Sequence, residues 1–217
     1  MGRLKLGILI SGRGSNMQAL VERFADTNGP AEVATVISNR PEAAGLAHAE
    51  AAGLPTRVID HRDYGDRAAF DRELDAALSS AGVELVCLAG FMRLLTPDFV
   101  NKWQERVVNI HPSLLPAFKG LNVHNRVIAS GVRITGATVH IVRPEMDDGP
   151  ILAQAAVPVA QDDTEDTLAA RVLAVEHRIY PLAVSLIAEG RVRIVGDRVQ
   201  IDGAAAVGGA LLNPEAG

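Results

Sequence analysis

Two side chains suited to acyl-transfer chemistry stand two residues apart in the middle of the chain. Asn109 and His111 belong to the segment 107–111, whose β-branched residues predict a buried strand. Side chains two residues apart on a strand point to the same face. An amide donor beside a titratable imidazole is what acyl transfer through a tetrahedral oxyanion requires. Asn109 and His111 are therefore candidate catalytic residues, although a lone histidine before a proline is more often a strand-end residue bound by backbone.

A pair of neighbouring carboxylates follows in a turn between two later strand-like segments. Residues 144–150 read Pro-Glu-Met-Asp-Asp-Gly-Pro, which is ordinary turn chemistry. Either Asp147 or Asp148 could point back at His111, and a carboxylate there would favour the charged imidazolium. The residues alone do not decide which of the two carboxylates has this role.

A glycine-rich loop follows the first predicted strand. In residues 11–16, Ser-Gly-Arg-Gly-Ser-Asn, the backbone N–H groups and the start of the next helix would face an anion. A dinucleotide fingerprint would place a third glycine at Met17 and an acidic residue in the segment 38–40, and this chain has neither. The loop therefore predicts a phosphate site, with a simple tight turn as the alternative. Arg40 leaves a site for the 2′-phosphate of NADP open.

Short apolar runs alternate with longer helical patterns, which predicts an α/β fold that is Rossmann-like, with a mostly parallel twisted sheet and helices on both faces. The predicted strands are 4–10, 32–38, 56–59, 84–88, 107–110, 134–142 and 151–158, with a closing hairpin of 191–195 and 198–201. The predicted helices are 16–26, 41–52, 66–80, 96–103 and 164–189, with Pro41 and Pro97 in first turns and Asp163 or Thr164 as the last cap.

Composition excludes several classes of protein. The net charge of −5 argues against a surface that wraps nucleic acid, because phosphate neutralisation needs clustered Lys and Arg. Cys87, the one cysteine, lies in an apolar run and rules out a disulfide within the chain. We find no signal peptide, no run of about 20 apolar residues and no metal-ligand spacing among the histidines. We expect a cytoplasmic protein without a metal and without membrane or nucleic-acid partners.

With these segments assembled, the sequence closely resembles the glycinamide ribonucleotide formyltransferase family, which are folate-dependent enzymes of purine synthesis. The resemblance extends from Leu6 to about Val195, and the 109–116 motif is specific for formyltetrahydrofolate enzymes. The matching segments are Ile-Ser-Gly-Arg-Gly-Ser-Asn at 10–16, Leu-Ala-Gly-Phe-Met-Arg at 88–93, Asn-Ile-His-Pro-Ser-Leu-Leu-Pro at 109–116, Gly-Ala-Thr-Val-His at 136–140 and Asp-Asp-Gly-Pro-Ile at 147–151.

The resemblance implies a role for each site residue. The catalytic trio would be Asn109, His111 and Asp147, which selects Asp147 over Asp148. The phosphate of the acceptor would bind at Gly14, Ser15 and Asn16, and Glu176 would contact its ribose hydroxyls; otherwise Glu176 would lie on a solvated helix face. The folate-binding positions would be Arg67, Met92, Arg93, Leu94, Leu95 and Asn109. Asn122 stands where the family usually has a histidine, so the contribution of that loop is open.

The implied organisation is one formyltransferase domain over residues 1–202, with a phosphate-binding half (1–104), a catalytic and folate-binding half (105–202) and a disordered tail (203–217). The implied reaction moves a formyl group from 10-formyltetrahydrofolate, the co-substrate, to the amine of glycinamide ribonucleotide, in a monomer or a homodimer. Rival interpretations are a formyltetrahydrofolate hydrolase, a methionyl-tRNA formyltransferase, an NADP-dependent reductase and a nucleotide-binding sensor. The first two share the catalytic motif, but we expect each to need a further domain.

Overall fold

The computed structural model describes residues 2–205, 208–209 and 211–214. The chain divides into two compact units. Unit 1 comprises Met1–Asn109 and Ile141–Pro144, and unit 2 comprises Ile110–His140 and Glu145–Gly217. The predicted disorder of 203–217 falls partly on residues 206–207, 210 and 215–217, which lie outside the described chain.

Unit 1 is built on parallel strands. The strands are β1 (Leu4–Ile10), β2 (Ala31–Ser38), β3 (Thr56–Val58), β4 (Leu85–Leu88) and β5 (Val107–His111). Each pair of neighbours from β3 through β2, β1 and β4 to β5 is parallel. Leu6, Ile8, Leu9 and Ile10 of β1 are fully buried, as expected for a central strand covered on both faces. The carboxyl ends of these strands therefore meet at one edge of the sheet.

The helices of unit 1 begin after these strands. They are α1 (Ser15–Arg23), α2 (Ala44–Ala51), α3 (Arg67–Ser80) and α4 (Pro97–Lys102), with a single 3-10 turn at His61–Asp63 that the sequence did not predict. Pro97 occupies the first turn of α4 as predicted, and Thr96 caps that helix through its side chain. Phe70, Leu74 and Leu78 bury one stripe of α3 in the core with Leu9, Val86 and Trp103.

Two predicted helix boundaries in unit 1 are wrong. Helix α1 ends at Arg23 instead of residue 26, because Phe24 leaves the helical conformation and its side chain is buried. Helix α2 begins at Ala44 instead of residue 41, because Ala43 is extended and its N–H bonds to the Arg40 carbonyl in a turn. Pro41 therefore precedes the helix and does not lie in its first turn.

Unit 2 contains the remaining elements. They are α5 (Val123–Ser130), β6 (Ile134–Ile141), β7 (Ile151–Pro158), α6 (Glu165–Ala188), β8 (Val192–Val195) and β9 (Arg198–Ile201), with β6 and β7 antiparallel. The Thr164 hydroxyl caps α6 by accepting the Thr167 N–H, and the Thr167 hydroxyl accepts the Thr164 N–H in return. Helix α5 was missed by the sequence analysis, which predicted no helix between residues 110 and 134. The predicted hairpin of β8 and β9 is confirmed.

Hydrogen-bonded strands follow the order β3-β2-β1-β4-β5-β6-β7, with β8-β9 as a separate pair. The predicted Rossmann-like α/β class, a mostly parallel sheet with surrounding helices, is confirmed. None of the helices in the described part of the chain is long and apolar enough to cross a membrane.

Candidate active site

The predicted anion loop, residues 11–16, connects β1 to α1 in unit 1. Gly14 has a φ of 76° and stands at the N-cap of α1, a conformation that glycine adopts without strain. The loop lies directly against α2, because the Gly45 N–H donates to the Gly12 carbonyl at 3.0 Å. A β-carbon on Gly14 would lie 2.8 Å from the Gly45 Cα. Gly45 is thus part of the loop's support, and no signal in the sequence identified it.

The predicted folate-binding residues of unit 1 differ in exposure. Met92 and Leu94 are exposed, at 66% and 58%, whereas Leu95 packs against the core. Arg67 is exposed at the start of α3. The Arg93 guanidinium carbon lies 5.2 Å from the centre of the Phe70 ring, and its buried Nε has no hydrogen-bond partner among the described residues. The exposed thioether, the exposed leucine and the guanidinium offer apolar surface together with a cation.

Strand β5 delivers both predicted catalytic residues of the middle segment. Asn109 is half-buried and His111 is buried. The Nε2 of His111 lies 3.0 Å from the Phe118 carbonyl oxygen. A carbonyl oxygen only accepts, so this contact assigns a proton to Nε2 and leaves Nδ1 to face the other side.

Asp147 lies on that other side of the His111 ring. Its Oδ2 is 3.5 Å from His111 Nδ1 and accepts the Gly120 N–H at 2.8 Å. The two side chains are only 7% and 11% exposed. Nδ1 of His111 therefore faces the Asp147 carboxylate, while Nε2 faces the Phe118 carbonyl. The structure therefore brings together two members of the predicted trio from distant parts of the sequence.

A second histidine approaches the same carboxylate. His140 on β6 is 2% exposed, and its Nε2 lies 3.8 Å from Asp147 Oδ1. The sequence analysis placed His140 in a family motif and gave it no role. The one feature of the sequence that could have pointed to His140 is its spacing of two residues from Thr138 on the same strand, which places both side chains on one face.

Asp148 has a different environment from Asp147. Its side chain is 56% exposed and pairs with Lys119 at the surface. Asp147 instead has a φ of 52°, which is uncommon for a residue with a side chain. Backbone strain of this kind concentrates at functional sites. The geometry thus supports Asp147 as the partner of His111.

Thr138 holds the segment that follows His111. This fully buried hydroxyl donates to the Ser113 carbonyl at 2.7 Å and accepts the Leu115 N–H at 3.0 Å. Gln154 on β7 donates to the same hydroxyl at 3.0 Å and to the Leu115 carbonyl at 3.0 Å. Every hydrogen-bonding position of the Thr138 hydroxyl is therefore used, which restrains residues 113–115 against β6 and β7.

Three further polar residues of unit 2 have distinct environments. Burial lowers the pKa of His124; the charge of Glu165 opposes this shift, and the charge of His111 adds to it. Glu176 on α6 is only 7% exposed, so its interpretation as a residue of a solvated helix face is wrong. Asn122 precedes α5 with a φ of 54°, which asparagine tolerates better than most residues.

The two units therefore supply different chemistry. Unit 1 offers a loop that presents backbone N–H groups at the start of a helix, as anion sites do. Unit 2 offers a buried imidazole oriented by a carboxylate, which is suited to general acid–base catalysis. The fold and these groups define a Rossmann-like α/β protein with the equipment of a group-transfer enzyme.

The chain belongs to the formyl transferase family, whose model matches residues 4–184. The phosphoribosylglycinamide formyltransferase of Escherichia coli (strain K12) is 40% identical over 200 residues, which cover 92% of this chain and 94% of that protein. The trifunctional purine biosynthetic protein adenosine-3 of Gallus gallus is 50% identical over 192 residues, which cover 88% of this chain. The chain spans only 19% of the length of that protein.

The solved structures agree with this family. The structure of glycinamide ribonucleotide transformylase 1 from Symbiobacterium toebii matches with a TM-score of 0.89 at 47% identity, covering 92% of this chain and 94% of that one. This likeness supports the fold and the family together, because both the backbone and the sequence agree over nearly the whole chain.

Proposed function

We propose that this chain transfers a formyl group from 10-formyltetrahydrofolate to the amine of N1-(5-phosphoribosyl)glycinamide, in purine biosynthesis. The products are formylglycinamide ribonucleotide and tetrahydrofolate. The observation that carries the proposal is the buried His111–Asp147 pair at 3.5 Å, in a chain that matches the E. coli phosphoribosylglycinamide formyltransferase over 94% of its length. The partners are these two small molecules, without nucleic acid or membrane.

In the proposed mechanism, the amine nitrogen of the acceptor attacks the formyl carbon. Asn109 donates a hydrogen bond to the oxygen on which negative charge develops, and the His111 imidazolium, held by Asp147, stabilises the same charge. The C–N10 bond of the folate then breaks. The amine loses one proton and N10 gains one, and His111 takes part in this transfer. No acyl-enzyme forms, and the exchange balances without a metal.

The remaining roles follow the environments of the residues. The loop residues Gly14, Ser15 and Asn16 bind the phosphate of the acceptor, and the buried carboxylate of Glu176 contacts its ribose. Arg67, Met92, Arg93, Leu94 and Leu95 bind the folate, with the exposed Met92 and Leu94 side chains as apolar surface. Holding both reactants in register supplies much of the rate enhancement in such bimolecular transfers.

The test is a formyl-transfer assay that offers glycinamide ribonucleotide, initiator methionyl-tRNA and water as acceptors. We expect tetrahydrofolate to form only with glycinamide ribonucleotide, followed by ultraviolet absorbance and by the mass of the formylated product. Turnover of formyltetrahydrofolate without an added acceptor would indicate a hydrolase. Formylated tRNA would indicate a methionyl-tRNA formyltransferase. If formyltetrahydrofolate is not consumed at all, the chain would be neither a formyltransferase nor a hydrolase.

A further inference from the structure

Ser11 is a buried residue directly after β1 whose hydroxyl makes two hydrogen bonds to other strand ends. It is 6% exposed, donates to Asn39 Oδ1 at 2.6 Å and accepts the Met92 N–H at 2.8 Å. The roles proposed above for the loop begin at Gly14, and they assign nothing to Ser11. Its hydroxyl is nevertheless the group that joins the loop to the segment proposed to bind folate.

The two partners of Ser11 follow the strands on either side of β1. Asn39 comes directly after β2, and Met92 comes after β4. Backbone bonds run alongside: the Ser11 N–H donates to the Gly90 carbonyl at 3.2 Å, and the Asn39 N–H donates to the Ile10 carbonyl at 3.4 Å. The hydroxyl therefore lies where three neighbouring parallel strands end, and all of these contacts are within unit 1.

The Ser11 hydroxyl donates one hydrogen bond, to Asn39, and accepts another, from Met92. Asn39 is 2% exposed, and its Nδ2 lies 3.2 Å from His61 Nδ1, which is also 2.9 Å from the Asn39 carbonyl oxygen. Asn39 Oδ1, which can only accept, is the atom that lies 2.6 Å from the Ser11 hydroxyl. The proton of the Ser11 hydroxyl is committed to Asn39, which leaves its lone pairs for Met92.

The segment 90–95 depends on such ties because it has no regular secondary structure. Its start is held by the Ala89 N–H, which donates to the Leu9 carbonyl at 2.9 Å, and its end by the Thr96 N–H, which donates to Asp71 Oδ2 at 2.6 Å. Between these ends, the Met92 N–H bonds to Ser11. The bond fixes the backbone of a residue whose side chain is 66% exposed, so it determines where that side chain projects.

We infer that Ser11 is a positioning residue that couples the anion loop to the segment Met92–Leu95. This inference rests on the proposed function, in which the loop binds the acceptor and the segment binds folate. Anion binding restrains the loop, of which Ser11 is the first residue, and the Ser11 hydroxyl transmits that restraint to the Met92 N–H. Binding of one substrate thereby orders the site of the other.

The kinetic test compares Ser11→Ala with the control Ser80→Ala, which removes a hydroxyl that donates to the Ala77 carbonyl at the end of α3. Losing one buried hydrogen bond should raise the KM of each substrate by about fivefold in Ser11→Ala, with kcat nearly unchanged. Ser80→Ala should behave as wild type. Reduced kcat with both KM values unchanged would mean that Ser11 only supports folding, and would overturn the inference.

A double-mutant cycle with Asn39→Ala tests the relay. If Ser11 acts through its orientation by Asn39, the double variant should have KM values no higher than those of Ser11→Ala alone. Multiplied effects of the two substitutions would show that the residues act independently, which the inferred relay does not allow.

A second measurement needs no catalysis. Inorganic phosphate is titrated into ¹⁵N-labelled protein, and the amide signals of Ser15 and Met92 are followed. Both should shift in wild type, and only Ser15 should shift in Ser11→Ala. A Met92 signal that stays still in wild type, or shifts equally in both proteins, would overturn the coupling even if formyl transfer is normal. If both amide signals shift as expected but the protein does not formylate glycinamide ribonucleotide, the proposed function would be wrong and the coupling between the loop and Met92 would still be supported.

Discussion

At the scale of single residues, backbone conformation decides which of Asp147 and Asp148 faces His111. The left-handed φ of Asp147 and the Gly120 N–H aim its carboxylate at His111, whereas Asp148 pairs with Lys119 at the surface. The 3.5 Å contact between His111 and Asp147 could not be derived from local spacing, because it depends on a turn conformation. Family resemblance, not residue chemistry, selected Asp147 in the sequence.

We expect Asp147→Asn to lower kcat by about 10²-fold, because the amide keeps the shape but no longer supports a charged His111. Asp148→Asn is the matched control and should change kcat by less than about threefold, as exposed ion pairs contribute little. Steady-state kinetics under saturating folate and acceptor measure both. Equal losses in the two variants would show that the charge of the turn, and not the His111 contact, is what matters.

At the scale of elements, the strands were predicted well and the helices around the site less well. Apolar runs such as that of β1 identify a buried parallel strand on their own, since both faces are covered. Helix α5 was missed because it is short and follows the stretch 112–122, which contains two prolines and a glycine. The packing of the anion loop on α2 was also out of reach, because Gly45 in a helical sequence resembles any other glycine.

The contact between α2 and the loop can be tested with Gly45→Ala. The added β-carbon would lie 2.7 Å from Ile10 Cδ1, 3.1 Å from the Gly14 Cα and 3.2 Å from the Gly12 carbonyl oxygen, so the loop must move. We expect the KM of the phosphorylated acceptor to rise about fivefold, the equivalent of about 1 kcal/mol, while that of folate changes little.

The control for this substitution is Gly65→Ala, where an added β-carbon meets no atom within 4 Å. It should leave both KM values unchanged. A Gly45→Ala enzyme with equal increases in both KM values would point to a general disturbance of unit 1 instead of a local one.

At the scale of the whole molecule, stability in acid depends on carboxylates that are paired with cationic side chains in the folded state. Arg171 donates to both oxygens of Asp163 at 2.7 and 2.9 Å, and the Ala160 N–H donates at 2.8 Å. Hydrogen bonds from the Arg171 guanidinium are the main reason that the pKa of Asp163 falls to about 2. Because the folded pKa lies below the unfolded one, this site stabilises the protein above pH 3.8 and loses its effect as the pH falls towards 2.

We therefore expect Asp163→Asn to lower the free energy of unfolding by about 2 kcal/mol near neutral pH. Denaturant unfolding at a series of pH values should show this difference shrinking between about pH 4 and pH 2, where the wild-type carboxylate also becomes protonated. Asp162→Asn, at an exposed neighbouring carboxylate, should change the free energy by no more than about 0.5 kcal/mol. A difference for Asp163→Asn that persists unchanged at pH 2 would contradict the ionic origin of the stabilisation.

The Phe118 carbonyl has a consequence for the order of events at the site. The carbonyl oxygen accepts the hydrogen bond of His111 Nε2 at 3.0 Å, and one N–H makes one strong hydrogen bond. Under the proposed function, a reacting atom that takes this proton must therefore replace the carbonyl as its hydrogen-bond partner. The exchange keeps the number of bonds on the imidazole constant, so the histidine is never left buried without a partner. Arrival of the substrate and departure of the Phe118 backbone thus become a single event, and the proton carrier comes into use only after the reactants are in place.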